Sequence, residues 1–75
     1  MTYAIAKPGF LSTRYVDLIS RNGFNISTVA IYDDGSNPGD IWKARKFKTQ
    51  AAAQKALDLV HQGGHVDFSI CQIDA

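Results

Sequence analysis

The sequence predicts a small α+β domain in which one main helix packs on one face of a mostly antiparallel sheet of about four strands. Three observations predict this fold. Residues near both ends of the chain alternate in residue type, as half-buried strands do. Asn22-Gly23 lies between two β-branched runs, which is typical of a hairpin. Residues 49–64 show the spacing of an amphipathic helix. The predicted order βββαβ suits a helix on one sheet face.

The first predicted strand is the sequence TYAIAK, residues 2–7, with its tyrosine and isoleucine on one face and its two alanines on the other. Pro8-Gly9 follows, and this pair suits the centre of a type II turn. A second strand is therefore expected to return beside the first.

The second and third strands are predicted to form a hairpin around a two-residue turn at Asn22-Gly23. The predicted cross-strand pairs are Ile19 with Ile26, Val16 with Val29 and Tyr15 with Ala30. One face then bears Val16, Leu18, Val29 and Ile31, and the other bears Tyr15, Ile19, Ile26 and Ala30. The alternative is a helix over residues 14–21, because Tyr15, Leu18 and Ile19 also have helical spacing and Gly23 could end a helix.

Residues 33–40, DDGSNPGD, predict a loop, and the spacing of Ile41, Ala44 and Phe47 predicts a short helical turn. The main helix follows, with Thr49 as its N-cap and Gly63-Gly64 as its end. Its apolar stripe comprises Ala53, Ala56, Leu57 and Val60. The last strand is expected to carry Val66, Phe68 and Ile70 on one face and Cys71 and Ile73 on the other.

The four phenylalanines, at positions 10, 24, 47 and 68, are predicted to supply much of the buried area. Both faces of the predicted hairpin are apolar, whereas one helix covers only one face. The remaining apolar surface is therefore expected to contact a partner protein or to form a homodimer interface.

Length and composition predict one globular domain over residues 1–75. The net charge is +1, so no overall charge would attract nucleic acid or lipid. A single cysteine, Cys71, cannot form an internal disulfide, which favours a reducing, cytoplasmic setting. No signal peptide or membrane span is expected.

The candidate binding residues are four cations within six positions, with two aromatic residues as candidate anchors of a partner. The cations are Lys43, Arg45, Lys46 and Lys48, and the aromatic residues are Trp42 and Tyr32. Four adjacent cations could neutralise phosphates, and Trp42 could stack on a base. Alternatively, Ala44 and Phe47 point inward and the cations form a solvated or protein-facing rim.

Other chemistry is not expected. The acidic loop of Asp33, Asp34, Asn37 and Asp40 lacks EF-hand spacing. His61, His65, Asp67 and Cys71 are metal-ligand types, but their positions do not converge as a closed zinc site requires. Nothing indicates that Cys71 is an activated nucleophile. We expect no metal, no cofactor and no enzymatic activity.

Residues 41–57, IWKARKFKTQAAAQKAL, resemble a loose group of small phage- and prophage-encoded proteins with the pattern KA-R-x-F-x-T followed by spaced alanines. The resemblance implies a non-enzymatic interaction module that binds and modulates or inhibits a host bacterial protein, as anti-CRISPR proteins do. It transfers no functional residue, and the insertion at residues 12–28 departs from the pattern. The alternative is a small nucleic-acid-binding protein that uses residues 43–48.

Overall fold

The computed structural model describes residues 2–21, 23–32 and 43–73. The elements are β1 (Thr2–Pro8), β2 (Ser12–Ile19), β3 (Ile26–Tyr32), α1 (Gln50–Gln62) and β4 (Ser69–Ile73). This order, βββαβ, and the α+β class are as the sequence predicts.

The four strands form one antiparallel sheet in the order β3-β2-β1-β4, so that β1 and β2 are central and β3 and β4 are the edges. Helix α1 packs over β1 and β4. The buried core cluster comprises Ile5, Val16, Leu57, Val60 and Phe68. Within the described residues, no helix has the length and apolar character that crossing a bilayer requires.

Strand β1 forms as predicted, and Ile5 faces the helix and is completely buried. The predicted half-buried alternation is wrong, because Ala4 and Ala6, on the other face of this central strand, are buried as well. The turn that follows differs from the prediction. The Gly9 N–H donates to the Ser12 carbonyl over 2.8 Å, so Phe10 and Leu11, not Pro8-Gly9, occupy the turn centre. Gly9 does not adopt the positive φ of a type II turn.

Residues 12–19 form a strand, and the alternative of a helix over residues 14–21 is therefore wrong. Ile19 pairs with Ile26 as predicted. Beyond that pair the register shifts at a bulge between Val16 and Leu18, because Asp17 is an extra residue on β2. The predicted pairs Val16–Val29 and Tyr15–Ala30 are consequently wrong by one residue, and Tyr15 pairs with Val29.

The bulge moves Val16 to the other face of the sheet. Val16 is completely buried in the helix-facing core, where Ile19 and Ile26 also pack. Leu18 pairs with Ser27 and is 63% exposed. The predicted grouping of Val16 with Leu18 is therefore wrong, because one inserted residue reverses the alternation on one side of the bulge.

The β2–β3 connection is longer than a two-residue turn. The Ser20 N–H donates to the Asn25 carbonyl, and the Gly23 N–H donates to the Ser20 carbonyl. Gly23 has a φ of 75° and is buried against the end of α1. A Cβ atom on Gly23 would overlap the Leu59 carbonyl oxygen, and one on Gly63 would overlap the Gly23 carbonyl oxygen. Two glycines thus allow the hairpin loop and the helix end to meet backbone to backbone.

The predicted short helical turn is only partly present. Lys43 has a 3-10 helical conformation, whereas the chain is extended at Phe47, where the prediction is wrong, and Ile41 lies outside the described residues. Phe47 and Tyr3 exchange backbone hydrogen bonds of 2.8 and 2.9 Å. The Arg45 N–H donates to the Val16 carbonyl over 2.8 Å. Residues 45–47 therefore lie between β1 and β2, where the bulge turns β2 away.

Helix α1 begins and ends as predicted. The Thr49 side chain accepts from the Ala52 N–H, and Gly63 is the C-cap. Ala53, Leu57 and Val60 are buried on its predicted stripe, whereas Ala56, predicted on the same stripe, is half-buried at its border and packs against the core cluster. The thirteen-residue helix is short for independent stability, so its order depends on packing this stripe against the sheet.

Two of the four phenylalanines are not core residues. Phe68 is buried and Phe47 packs against the core, but Phe10 is 95% exposed and Phe24 is 62% exposed. Val66 is also exposed, in a turn before β4, whereas Ile70 packs on the core as predicted. Each exposed residue lies in a connection rather than in a strand, so period-two alternation does not govern its side chain.

Candidate functional site: a basic groove beside the helix

An open groove of about 360 Å³ lies between α1 and the extended segment before it. We call it the basic groove. Its lining residues are Arg45, Phe47, Ala52, Lys55, Ala56 and Leu59. Four of the six are apolar and the other two are cations. The groove therefore combines an apolar floor with positive charge.

The helix supplies one wall because of its periodicity. Ala52, Ala56 and Leu59 recur at the spacing i, i+4 and i+7, which places them on one stripe, beside the buried stripe of Ala53 and Leu57. Ala56 and Leu59 are half-buried, and Ala52 is exposed. Helix α1 thus has one apolar stripe that packs on the sheet and a second that lines the groove.

Phe47 forms the opposite wall, and its backbone position is fixed by the two hydrogen bonds with Tyr3. The Phe47 side chain is half-buried and packs against the core cluster. The apolar surface that Phe47 gives to the groove is therefore continuous with the core. A ligand in the groove would meet a preformed surface, and no loop would have to be ordered first.

The two cations of the groove are exposed. The Arg45 guanidinium carbon lies 5.6 Å from the centroid of the Phe47 ring, which is within the range of a cation–π interaction. This interaction holds the guanidinium beside the apolar surface of the groove. Lys55 is one helical turn from Leu59 and one turn from Ala52. Among the described residues, no carboxylate lies within salt-bridge distance of Arg45 or Lys55. Their charge is available to an incoming group.

The structure separates the four cations that the sequence places together. Lys43, Arg45 and Lys48 are exposed, whereas Lys46 is half-buried and its Nζ donates to the Ala44 carbonyl over 3.1 Å. Ala44 is buried, as the rim interpretation expects. Only Arg45 of the four lines the groove.

The two predicted aromatic anchors do not line the groove. Tyr32 ends β3, pairs with Ser12 and is 48% exposed at the far edge of the sheet. Trp42 lies outside the described residues, as does the acidic loop at residues 33–40.

The candidate metal ligands have other roles. The Nε2 atoms of His61 and His65 lie 2.9 and 3.1 Å from the carbonyl oxygens of Phe68 and Phe24, so each ring donates to the backbone. Asp67 lies 3.9 Å from Lys7. Burial, only partly offset by a backbone hydrogen bond with Ala4, raises the pKa of the Cys71 thiol, which is the opposite of activation. No three histidine, cysteine or acidic side chains among the described residues are placed to share a metal ion.

Sequence reasoning missed Lys55, the second cation of the groove. The spacing of Ala52, Lys55, Ala56 and Leu59 is visible in the sequence, but this stripe is less apolar than the stripe that packs on the sheet. Its role depends on Phe47, whose extended conformation the sequence did not indicate.

A second open groove, of about 380 Å³, lies at the end of the β2–β3 hairpin and has no charged side chain in its lining. Its lining residues are Leu18, Ile19, Ser20, Asn25, Ile26 and Ser27. The basic groove is the one that joins apolar and charged recognition elements, and we therefore take it as the candidate site.

Comparison of the chain with protein-family models, curated proteins and solved structures finds no match.

Proposed function

We propose that this protein is a non-enzymatic interaction module whose basic groove binds a segment of a partner protein. The observation that carries the proposal is the pair Arg45 and Lys55, both exposed and without a described carboxylate partner, beside an apolar floor. The chemistry that fits is an apolar side chain flanked by one or two carboxylates. Such a segment would bury its apolar group on Phe47 and Leu59 and place its acids against the cations.

Binding rather than catalysis is supported by what lines the groove. Arg45 and Lys55 attract and orient anions, and the other four residues offer only apolar surface. Burying one leucine-sized side chain there contributes about 1.5–3 kcal/mol. That contribution alone is small, since a stable interface covers about 800 Å² on each partner. The contact is therefore proposed to extend over the neighbouring exposed cations Lys43 and Lys48.

The identity of the partner is proposed from the sequence. Five of the six groove residues, all except Leu59, lie within residues 41–57, the segment that resembles small phage-encoded proteins. We accordingly propose a host bacterial protein as the partner, modulated or inhibited by occupation of its surface.

The test compares three forms of the protein as baits in a bacterial lysate: the unsubstituted chain, Arg45→Glu and the matched control Arg21→Glu. Arg21 is exposed and lies in the β2–β3 connection, away from the groove. We expect a protein that the unsubstituted chain and Arg21→Glu retain and that Arg45→Glu loses. Titration of that purified protein should show Kd rising about tenfold for Arg45→Glu, or 1.4 kcal/mol. Equal loss from both variants would contradict the proposal.

A nucleic-acid-binding role is the second candidate, and the exposure of Lys43, Arg45 and Lys48 along one short segment favours it. The half-buried Lys46 counts against a row of four phosphate contacts. Mobility shift with a mixed-sequence DNA duplex and a single-stranded RNA separates the candidates. Retardation at low salt that disappears at high salt, and weakens in Arg45→Glu, supports nucleic acid. If neither nucleic acid is retarded at low salt, the nucleic-acid-binding role is excluded.

A further inference from the structure

The outer edge of β3 has the features of a strand that accepts another strand. Among the described residues, β3 pairs only with β2, so the backbone N–H and C=O groups along its other edge have no strand partner there. Its sequence, ISTVAIY, contains no charged residue and no proline. The bulge of this hairpin lies in β2, so β3 itself is regular. Soluble proteins usually protect an edge of this kind with a charge, a proline, a bulge or a cover.

The other edge strand, β4, is shorter than β3 and carries no exposed large apolar side chain among the described residues. It has five residues, against seven in β3. Strand β3, in contrast, ends in Tyr32, which is 48% exposed. Helix α1 also packs over β4, while it has little contact with β3. The β3 edge is thus the longer and the more apolar of the two.

We propose that two copies of this chain associate through their β3 edges, antiparallel, with Val29 on the twofold axis. A strand is the occupant that satisfies a row of unpaired backbone groups. A second copy is favoured because β3 is uncharged, so two such strands meet without like-charge repulsion. Val29 is the middle residue of β3, and only a centre there pairs all seven residues of both strands.

This register also places side chains favourably. Residues whose numbers sum to 58 lie opposite each other, so Tyr32 faces Ile26 of the second copy, and Ser27 faces Ile31. Tyr32 and Ile26 both occupy even positions of β3 and therefore lie on the same face. The exposed Tyr32 ring would cover the half-buried Ile26 of the other copy, an aromatic–β-branched pair that stabilises sheets. The result is a continuous eight-stranded sheet.

The dimer leaves both basic grooves open. The groove lies against α1, and α1 covers β1 and β4, on the side of the sheet away from β3 in strand order. Two grooves on one dimer would bind a bivalent partner more tightly than one groove binds a single site. The dimer itself does not depend on what the groove binds.

Sedimentation velocity over a wide range of protein concentrations tests the proposal, with Ser27→Lys and the matched control Ser69→Lys. Both serines are exposed, and they lie on opposite edge strands. We expect a concentration-dependent dimer whose dissociation constant rises at least about tenfold in Ser27→Lys and is unchanged in Ser69→Lys. Circular dichroism would establish that both variants are folded. A monomer at all concentrations, or a dimer disrupted only by Ser69→Lys, would overturn the proposal.

A cysteine cross-link tests the register independently. In a Cys71→Ser background, Val29→Cys places two thiols opposite each other on the twofold axis, within the Cα separation that a disulfide spans. Mild oxidation should convert Val29→Cys to a covalent dimer, while Gln72→Cys, an exposed position on β4, should remain monomeric on a non-reducing gel. Cross-linking through Gln72→Cys alone would show that the wrong edge was assigned.

Discussion

The two hairpin connections of this sheet are held in opposite ways. The β1–β2 turn is closed by one local hydrogen bond, from the Gly9 N–H to the Ser12 carbonyl, and it exposes Phe10 and Leu11 to solvent. The β2–β3 connection is polar in sequence, yet Gly23 is buried against the end of α1. The apolar β1–β2 turn is therefore free, in that its side chains are exposed, whereas the polar β2–β3 connection is fixed by its contact with the helix.

The difference shows what determines burial in a small domain. At Gly23 the absence of a Cβ allows two backbones to touch, so a residue without a side chain becomes part of the packed interior. At Phe10 a large side chain lies where no other element reaches it. Hydrophobicity alone predicts neither outcome, because burial in a connection depends on which element lies opposite.

The largest effect is expected from Gly23→Ala. Alanine disfavours the φ of 75°, and its Cβ would overlap the Leu59 carbonyl oxygen, so the hairpin and helix must separate. We expect a loss of at least about 3 kcal/mol, which approaches the whole net stability of a chain this size. Urea unfolding followed by circular dichroism measures it.

Gly64→Ala is the control, because Gly64 also has a positive φ, 97°, but nothing lies within 4 Å of an added Cβ. Its free energy of unfolding should fall by only about 1 kcal/mol, because the substitution strains the backbone without creating an overlap. Equal losses in the two variants would show that the contact between Gly23 and the helix contributes nothing.

A smaller effect is expected from His65→Ala. The His65 ring donates to the Phe24 carbonyl over 3.1 Å and lies edge-on to Phe68, with 6.3 Å between ring centroids. Removing both interactions should cost about 1–2 kcal/mol. Hydrogen exchange at residues 20–25 should accelerate, whereas residues 9–12 should be unchanged. Equal acceleration at both connections would mean that His65 does not act on the β2–β3 loop specifically.

The parts of the fold that follow local rules could be predicted from the sequence. The N-cap at Thr49, the stripe of Leu57 and Val60, and the pairing of Ile19 with Ile26 each depend on spacing within one element or one hairpin. The bulge at Asp17 could not be predicted from local spacing. Arg45, almost thirty positions later in the chain, donates its backbone N–H to the Val16 carbonyl beside this bulge, and no pattern within β2 or β3 indicates that contact.

The candidate site was half predictable for the same reason. Arg45 was expected at a charged rim, and its exposure agrees with that. Lys55 became part of the site only because Phe47 is extended and faces the second stripe of α1. That extended conformation depends on Tyr3, at the other end of the chain, which no local pattern connects to Phe47.

Substitution at the free turn is expected to leave stability almost unchanged. The double variant Phe10→Ser, Leu11→Ser removes side chains that are 95% and 67% exposed, so the free energy of unfolding should change by less than about 0.5 kcal/mol. Urea unfolding is again the measurement. A loss of several kcal/mol would show that this turn is covered in solution, and the contrast between the two hairpins would then be wrong.

The smallest effect is expected from Lys7→Ala, at the base of the free hairpin. Lys7 Nζ lies 3.9 Å from the Asp67 carboxylate, and both side chains are well exposed, at 46% and 74%. An exposed pair at that distance contributes about 0–0.5 kcal/mol, and salt screens it. Thermal unfolding of the variant and the unsubstituted chain should therefore nearly coincide at 0.1 M salt and converge fully at 1 M. If Lys7→Ala instead lowers Tm by several degrees at both salt concentrations, Lys7 stabilises this hairpin by packing of its methylene groups rather than by charge, and the free turn is better fixed at its base than at its tip.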